Sequence, residues 1–335
     1  MKFAIIGTGM ISNIHAEAIQ SLEGNLLSWV YSRDEQHGAA FAQKFGCRHS
    51  SDLEALLQSP DIDAVAICTP SGTHADLIIQ AARHHKHVLV EKPLDISLDQ
   101  ADEAIRICRE NGVKLGVIFQ LRFMEETKKA KRILETGLLG NLIQVDTYMK
   151  FYRPEAYYEN STWKGTKALD GGGALMNQGI HGIDLLLWLA GPVMSVTAQV
   201  KTLKHAIEVE DTAAAIVNFS NGAMGVIQGT TSIYPDHPQL LTFHGTKGTL
   251  ELAGTEVPYI RTLNILGRPE LTIDHPAAPE DHLGAAHVQQ YIDFIEAVKQ
   301  DRSPLVDGTE GRKSLHLVRS IYESSLEGRT VALVT

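Results

Sequence analysis

The stretch Lys2-Phe3-Ala4-Ile5-Ile6-Gly7-Thr8-Gly9-Met10-Ile11-Ser12 decides how the first third of the chain folds. Phe3–Ile6 is an apolar run of strand length, Gly7 and Gly9 break it, and an amphipathic stretch from about Ile11 to Leu22 follows. Strand, glycine turn and helix in this order place backbone N–H groups at a helix N-terminus, where a pyrophosphate can sit. The first glycine permits the tight turn, and the second lets the backbone approach the phosphates. The third position holds Ser12, which is small enough for close helix–strand contact. Gly7, Gly9, Met10 and Ile11 are therefore expected at a dinucleotide. The competing reading is an ordinary glycine-rich turn.

The pattern continues outward from this turn. Strand signals at Leu26–Tyr31, Ala64–Cys68, Val88–Val90 and Val113–Phe119 alternate with helical stretches at Glu35–Phe45, Asp52–Gln58, His74–His84 and Leu98–Asn111. Such alternation predicts a doubly wound parallel sheet over residues 1–120. Beyond it the period changes. Glu125–Thr136 and Ala174–Ala190 read as helices. Ile143–Tyr152, Val193–Leu203, Thr212–Phe219, Met224–Ser232, Leu240–Gly245 and Thr249–Leu252 read as strands, with Asn221-Gly222 as a hairpin turn. His287–Gln300 and Gly308–Glu327 close the chain as helices. The expected architecture is an α/β Rossmann domain, 1–120, followed by an α+β domain, 121–335, built on an open-faced, mostly antiparallel sheet.

Three local patterns carry chemistry. At the end of the second strand, Ser32 and Arg33 suit a ribose phosphate, whereas Asp34 lies late for pairing with a ribose hydroxyl. NADP is favoured on this ground and NAD remains possible; Arg33 as a solvated surface charge is the plain alternative. Glu91-Lys92-Pro93 follows Val88–Val90 directly, which puts Lys92 at the carboxyl end of a parallel strand. A lysine there can hold a substrate oxygen. On the helix after Gly171-Gly172-Gly173, Met176, Ile180, Ile183 and Leu187 form an apolar stripe, and Asn177, His181, Asp184 and Trp188 a polar one beside it. His181 has the ordinary pKa range for proton exchange near neutrality. A histidine held in the core by Asp184 is the alternative.

Composition excludes several classes. The chain has 335 residues, 44% hydrophobic and 21% charged, so it can bury a core and is not a disordered polymer. Its net charge of −10 disfavours nucleic acid as a partner. No apolar run approaches the roughly 20 residues of a membrane span. Cys47, Cys68 and Cys108 make neither a disulfide framework nor a zinc pattern, and a cytoplasmic location is expected. No metal site is expected. His84-His85-Lys86-His87 is read as a basic helix end rather than a metal tract.

Taken together, the Gly7–Ser12 turn, Cys68-Thr69-Pro70-Ser71-Gly72-Thr73-His74, Val90-Glu91-Lys92-Pro93, Gly171–Asp184 and Asp307-Gly308-Thr309-Glu310-Gly311-Arg312 resemble the Gfo/Idh/MocA family of NAD(P)-dependent oxidoreductases. The resemblance implies a sugar-type dehydrogenase in which Lys92 and His181 are the catalytic pair. It implies that Thr69, Pro70, His74, Glu91 and Lys92 lie at the cofactor, and that the Lys92–Pro93 bond is cis. Many members carry Asp four residues before the histidine; here Asn177 keeps the hydrogen bonding without the charge and is expected to fix the substrate or His181. Leu169–His181, Tyr157-Tyr158 and Trp163-Lys164-Gly165 look like the UDP-N-acetylglucosaminuronate 3-dehydrogenases of that family. An acidic or UDP-linked sugar oxidised at C3 is therefore the implied substrate. Inositol, anhydro-sugar or glycoside oxidation, and a non-catalytic NAD(P)-binding sensor, are the alternatives.

The loop 153–167 carries Arg153, Tyr157, Tyr158, Trp163, Lys164 and Lys167. Aromatic faces suit sugar rings, and arginine pairs with carboxylate or phosphate. Arg153 and Trp163 are expected substrate contacts, together with Asn177, His181 and Asp184. A homodimer or homotetramer through the second domain is expected, because open sheet faces are commonly covered by self-association.

Overall fold

Phe3, Ala4, Ile5 and Ile6 are fully buried, because their strand lies in the middle of a sheet covered on both faces. A computed structural model of the chain describes residues 1–254, 257–276 and 283–333. Its first elements are β1 (Lys2–Ile6), α1 (Met10–Gln20), β2 (Leu26–Tyr31), α2 (Glu35–Phe45), β3 (Arg48–Ser50), α3 (Leu53–Leu57), β4 (Ala64–Ile67), α4 (His74–Arg83), β5 (His87–Val90), α5 (Leu98–Glu110) and β6 (Leu115–Val117). The sheet order is β3-β2-β1-β4-β5-β6, and every pair is parallel. Parallel strands need crossover helices, which bury both faces of the sheet and make its strands read as continuous apolar runs. β4, Ala-Val-Ala-Ile, is such a run. The order reverses between β1 and β4, and the carboxyl ends of strands at such a reversal are where ligands bind in open α/β sheets. Side chains of Asp34, Asp52 and Ser97 cap α2, α3 and α5 by accepting from backbone N–H groups.

The remaining elements are α6 (Glu125–Glu135), β7 (Leu142–Lys150), α7 (Ala156–Glu159), a π-helical turn over Ala174–Gly179, α8 (Ile180–Ala190), β8 (Val193–Lys201), β9 (Thr212–Phe219), β10 (Met224–Thr230), β11 (Gln239–Gly245), β12 (Gly248–Gly254), β13 (Tyr259–Ile265), β14 (Ile273–Asp274), α9 (Leu283–Lys299), α10 (Gly308–Glu327) and β15 (Val331–Ala332). Among the described residues, nine strands form the second sheet, in the order β14-β13-β12-β11-β7-β10-β9-β8-β15, and only β7 and β10 pair in parallel within it. β9 shows why one face is packed and the other open: Ala213, Ala215, Val217 and Phe219 are buried, and Ala214, Ile216 and Asn218 between them are exposed. α8 lies on the packed face. A Cβ at Gly182 would stand 2.6 Å from the Met149 sulfur, so only glycine lets the helix come this close.

Met1–Gln120 together with 283–312 forms one compact unit, and 121–282 with 313–335 forms the other. The sequence-based division kept all of 121–335 in the second domain. α9 belongs to the first unit because Tyr291, Phe294 and Ile295 complete the apolar cluster of Phe3, Ile5, Ala16 and Ile19. The segment after it also joins that unit, with Val117 N donating to Val306 O beside β6.

Candidate functional site

In the first unit the glycine turn is sterically determined. Gly7 has φ +106°, and a Cβ there would lie 2.7 Å from the Cys68 carbonyl oxygen. Both facts exclude a side chain. Gly9 starts α1, and a Cβ on it would meet no atom within 4 Å. Ser12 is buried and its hydroxyl donates to Gly9 O. The first turn of α1 contains no acidic residue, so the positive end of its dipole is not neutralised locally. These features fit a dinucleotide pyrophosphate, and Gly7, Gly9, Met10 and Ile11 are the residues that would hold it. At the end of β2, Ser32 is buried and Arg33 exposed. The Asp34 carboxylate caps α2 by accepting from His37 N at 2.9 Å.

Two further loops close on the carboxyl ends of β4 and β5. His74 joins them, with Nδ1 2.8 Å from Pro93 O and Nε2 2.9 Å from Thr69 O. Burial pushes its pKa down against the pull of those carbonyls. Pro70 and Lys92 are half-buried, and the Lys92–Pro93 bond is cis. Glu91 points inward. Its Oε1 lies 2.9 Å from His15 Nε2, and its Oε2 accepts from Lys92 N at 3.2 Å. His15 Nδ1 is in turn 2.7 Å from the Tyr291 hydroxyl. Burial works against charge on Glu91, but the hydrogen bond and positive charge of His15 prevail and hold its pKa down at about 2. Potential ligand atoms of His15, Glu91 and His287 lie within 4.8 Å of one another. Because both ring nitrogens of His15 already have partners, the group is a hydrogen-bonded network.

In the second unit the polar helix is fixed at its start. The buried Glu210 carboxylate accepts from Gly173 N at 2.8 Å, Leu175 N at 2.9 Å and the Tyr322 hydroxyl at 2.8 Å. A Cβ at Gly173 would fall 1.8 Å from Glu210 O, and one at Gly172 2.1 Å from the Tyr322 hydroxyl. The glycine run is therefore a close approach to the Tyr322 side chain at Gly172 and to the Glu210 backbone at Gly173. Asp170 accepts from Gly165 N and from Asn177 Nδ2, both at 2.7 Å. Asn177 Oδ1 accepts from Gln178 Nε2 at 3.0 Å, and the same nitrogen donates to the Tyr157 hydroxyl at 2.8 Å. Gln178 Oε1 accepts from Arg153 Nη2 at 2.7 Å. Lys164 Nζ stands 3.7 Å above the Tyr157 ring. Burial pushes the Tyr157 hydroxyl up to about 12, so it stays protonated. His205 Nε2 donates to Arg153 O at 2.9 Å, and Asp211 holds the backbone of residues 203–205. The result is a half-buried cluster of cations, amides and a phenol, chemistry that suits an anionic, hydroxyl-bearing ligand.

The first part of the chain matches the family model described as oxidoreductase family, NAD-binding Rossmann fold, over residues 1–119, and residues 127–251 match the GFO/IDH/MocA C-terminal domain. The WlbA dehydrogenase from Bordetella pertussis, solved with NADH and UDP-GlcNAcA, is 32% identical with a TM-score of 0.90. That similarity covers 100% of this chain and 99% of the WlbA chain. The protein is a member of the Gfo/Idh/MocA oxidoreductase family. The WlbA dehydrogenase from Chromobacterium violaceum, also solved with NADH and UDP-GlcNAcA, is 31% identical, covering 100% of this chain and 96% of its own, with a TM-score of 0.88. Myo-inositol 2-dehydrogenase from Thermotoga maritima is 27% identical over 99% of this chain and 98% of its own.

Within this oxidoreductase the expected site residues separate. Gly7, Gly9, Met10, Ile11, Ser32, Thr69, Pro70, His74, Glu91 and Lys92 gather at the carboxyl end of the first sheet, along with Arg33. Asn177 and Arg153 meet through Gln178. His181, half-buried, lies one helical turn beyond Asn177. Trp163 is half-buried in a turn held by Ser161 and Thr166. Asp184 is the correction. Its carboxylate takes Arg122 Nε at 2.8 Å and Nη2 at 2.7 Å, with both side chains 2% exposed. It is a core ion pair and not a substrate contact. The sequence reading missed Gln178, Asp170, Glu210 and His15. Gln178 was adjacent to Asn177, a residue already chosen, and Asp170 lies seven residues before Asn177, whereas the partners of Glu210 and His15 are distant in sequence.

Proposed function

We propose that this oxidoreductase oxidises a secondary hydroxyl of an acidic, nucleotide-linked sugar, at C3 as the WlbA ligands suggest. The observation that supports the acidic sugar is the Arg153–Gln178–Tyr157 cluster with Lys164 over it. A bound nicotinamide supplies the hydride acceptor. His181 takes the hydroxyl proton, and Lys92 hydrogen-bonds the same oxygen as the carbonyl forms. That both residues serve one hydroxyl rests on the family resemblance. Asn177, held by Asp170, fixes the substrate beside His181. In the reverse direction the same groups reduce a ketosugar.

Ser32 and Arg33 support NADP; the NADH held by both WlbA relatives supports NAD. Titrating the protein with NADPH and NADH by tryptophan fluorescence decides between them. Tighter NADPH binding that is lost in Arg33→Ala supports the phosphate role, and tighter NADH binding makes Arg33 a surface residue. Turnover is then measured with UDP-N-acetylglucosaminuronic acid, myo-inositol and levoglucosan. Oxidation of the first, abolished in Lys92→Ala and in His181→Ala with cofactor binding kept, supports the proposal. Oxidation of myo-inositol alone replaces it with the inositol reading that the Thermotoga maritima relative favours. Binding of cofactor without turnover of any compound supports a sensor. Exposed Ile143, Ile216 and Met224 on the second sheet support a homodimer or homotetramer, read by sedimentation. Among the described residues, no helix is long and apolar enough to cross a membrane; a cytoplasmic location is part of the proposal.

A further inference from the structure

Within the first unit lies a buried polar network that the proposed chemistry does not use. His15 comes from α1, the helix that follows the glycine turn. Glu91 comes from the end of β5, and Tyr291 from α9. His15 is fully buried and Glu91 nearly so, and they form an ion pair at 2.9 Å. Tyr291 is fully buried, in edge contact with Phe3 and with His15. A buried ion pair is costly to desolvate, and a well-packed apolar substitute is often as stable. Its place directly behind Lys92 calls for a reason beyond stability.

We propose that His15, Glu91 and Tyr291 are positioning residues for Lys92: the network holds the Glu-Lys-Pro turn through the Glu91 carboxylate and offsets that carboxylate's charge from behind, so that the Lys92 ammonium is not neutralised by its own neighbour. The inference rests on the role proposed for Lys92. Geometry carries it. One Glu91 oxygen is spent on the Lys92 backbone N–H, which fixes where that residue leaves the strand, and the other on His15. The Tyr291 hydroxyl lies 2.7 Å from the far nitrogen of His15, and it accepts from that nitrogen when His15 is the imidazolium. Burial disfavours that cation, but Cys68, Tyr291 and Glu91 around it raise its pKa well above the ordinary histidine value. The titratable groups facing Glu91 are His15 from α1, Cys68 after β4, His74 from α4, Lys92, and His287 and Tyr291 from α9.

The test reads Lys92 directly. Reductive ¹³C-methylation gives each lysine an NMR signal, and the Lys92 signal is assigned by its loss in Lys92→Arg. His15→Gln keeps an N–H for Glu91 but removes the positive charge. The Lys92 titration midpoint is expected to rise by about one unit, a tenfold change in its acid constant. Glu91→Gln is expected to lower the midpoint, and the double variant to return it close to wild type. An unchanged midpoint in His15→Gln, in a protein that still binds NADH, overturns the proposal. If His15→Gln does not fold, Tyr291→Phe carries the test: a smaller rise supports the network and no rise overturns it. Turnover of UDP-N-acetylglucosaminuronic acid is followed in parallel. Unimpaired turnover in Lys92→Arg defeats the role assigned to Lys92, whatever the midpoints show, so the two failures are told apart.

Discussion

Replacing Asp184 by asparagine separates a structural carboxylate from a catalytic one. Asp184 sits on α8, three residues beyond His181, but it faces Arg122, with two hydrogen bonds of 2.7 and 2.8 Å and both partners in the core. The Arg122 guanidinium also lies 5.5 Å from the Trp188 ring. Removing one member of such a pair leaves a buried, uncompensated charge, at a cost of about 3–5 kcal/mol. For a unit of roughly 150–250 residues each kcal/mol moves the melting temperature by about 2–4 °C. The expected drop in Asp184→Asn is therefore on the order of 6–20 °C. The double variant Arg122→Met with Asp184→Leu removes both charges and is expected to recover most of that loss. The assay is thermal melting by circular dichroism, with KM for the sugar measured well below the transition. A melting point within about 2 °C of wild type together with a raised KM would refute the reasoning and return Asp184 to the substrate.

Other consequences are simpler to check. Gly7→Ala forces a side chain into φ +106° and against the Cys68 carbonyl, so NADH affinity is expected to fall at least tenfold, on the order of 1.4 kcal/mol, with the far-UV spectrum unchanged. Because the Glu91 pKa is depressed to about 2, its contribution to stability is full above the unfolded glutamate value and is lost as pH falls from about 5 towards 2. Melting temperature should decline across that window, and Glu91→Gln should flatten the decline. Cys47 and Cys108 have pKa values pushed by burial to about 11 and about 12. Iodoacetamide at pH 7.5 should therefore leave both unmodified in the native protein and alkylate them in guanidinium. Tyr322→Phe removes one donor to Glu210, and about 1 kcal/mol of stability with it; a larger fall in kcat than in stability would show that the start of α8 positions His181.

The parts of this protein that could be read from sequence are those written in local periodicity. Residues 2–12 announce the turn and the helix because strand, glycine and amphipathic spacing are neighbours in the chain. β3 went unread because its residues, Arg48, His49 and Ser50, are polar and make only an edge strand. β13 went unread because a register shift between Glu251 and Leu252 in the pairing of β12 with β13 interrupts the alternation. Ala174–Ala190 was expected as one helix and begins as a π-helical turn, drawn open where Glu210 takes the N–H groups of Gly173 and Leu175. Asp184 shows the limit for the site. Its spacing placed it on a polar stripe, and only a residue 62 positions away reveals that the stripe enters the core at that point.

The return of residues 283–312 to the first unit bears on how this enzyme can be taken apart or recombined. A fragment ending at residue 120 would bare the apolar side of α1 and delete Tyr291, Phe294 and Ile295 from its packing. It should be recovered as an aggregate, not as a nucleotide-binding module. A chimera between two family members must accordingly exchange two separate stretches of gene together. The nucleotide-binding half is thus inherited in two pieces, and a swap of either piece alone asks one parent's α9 to fit the other parent's α1.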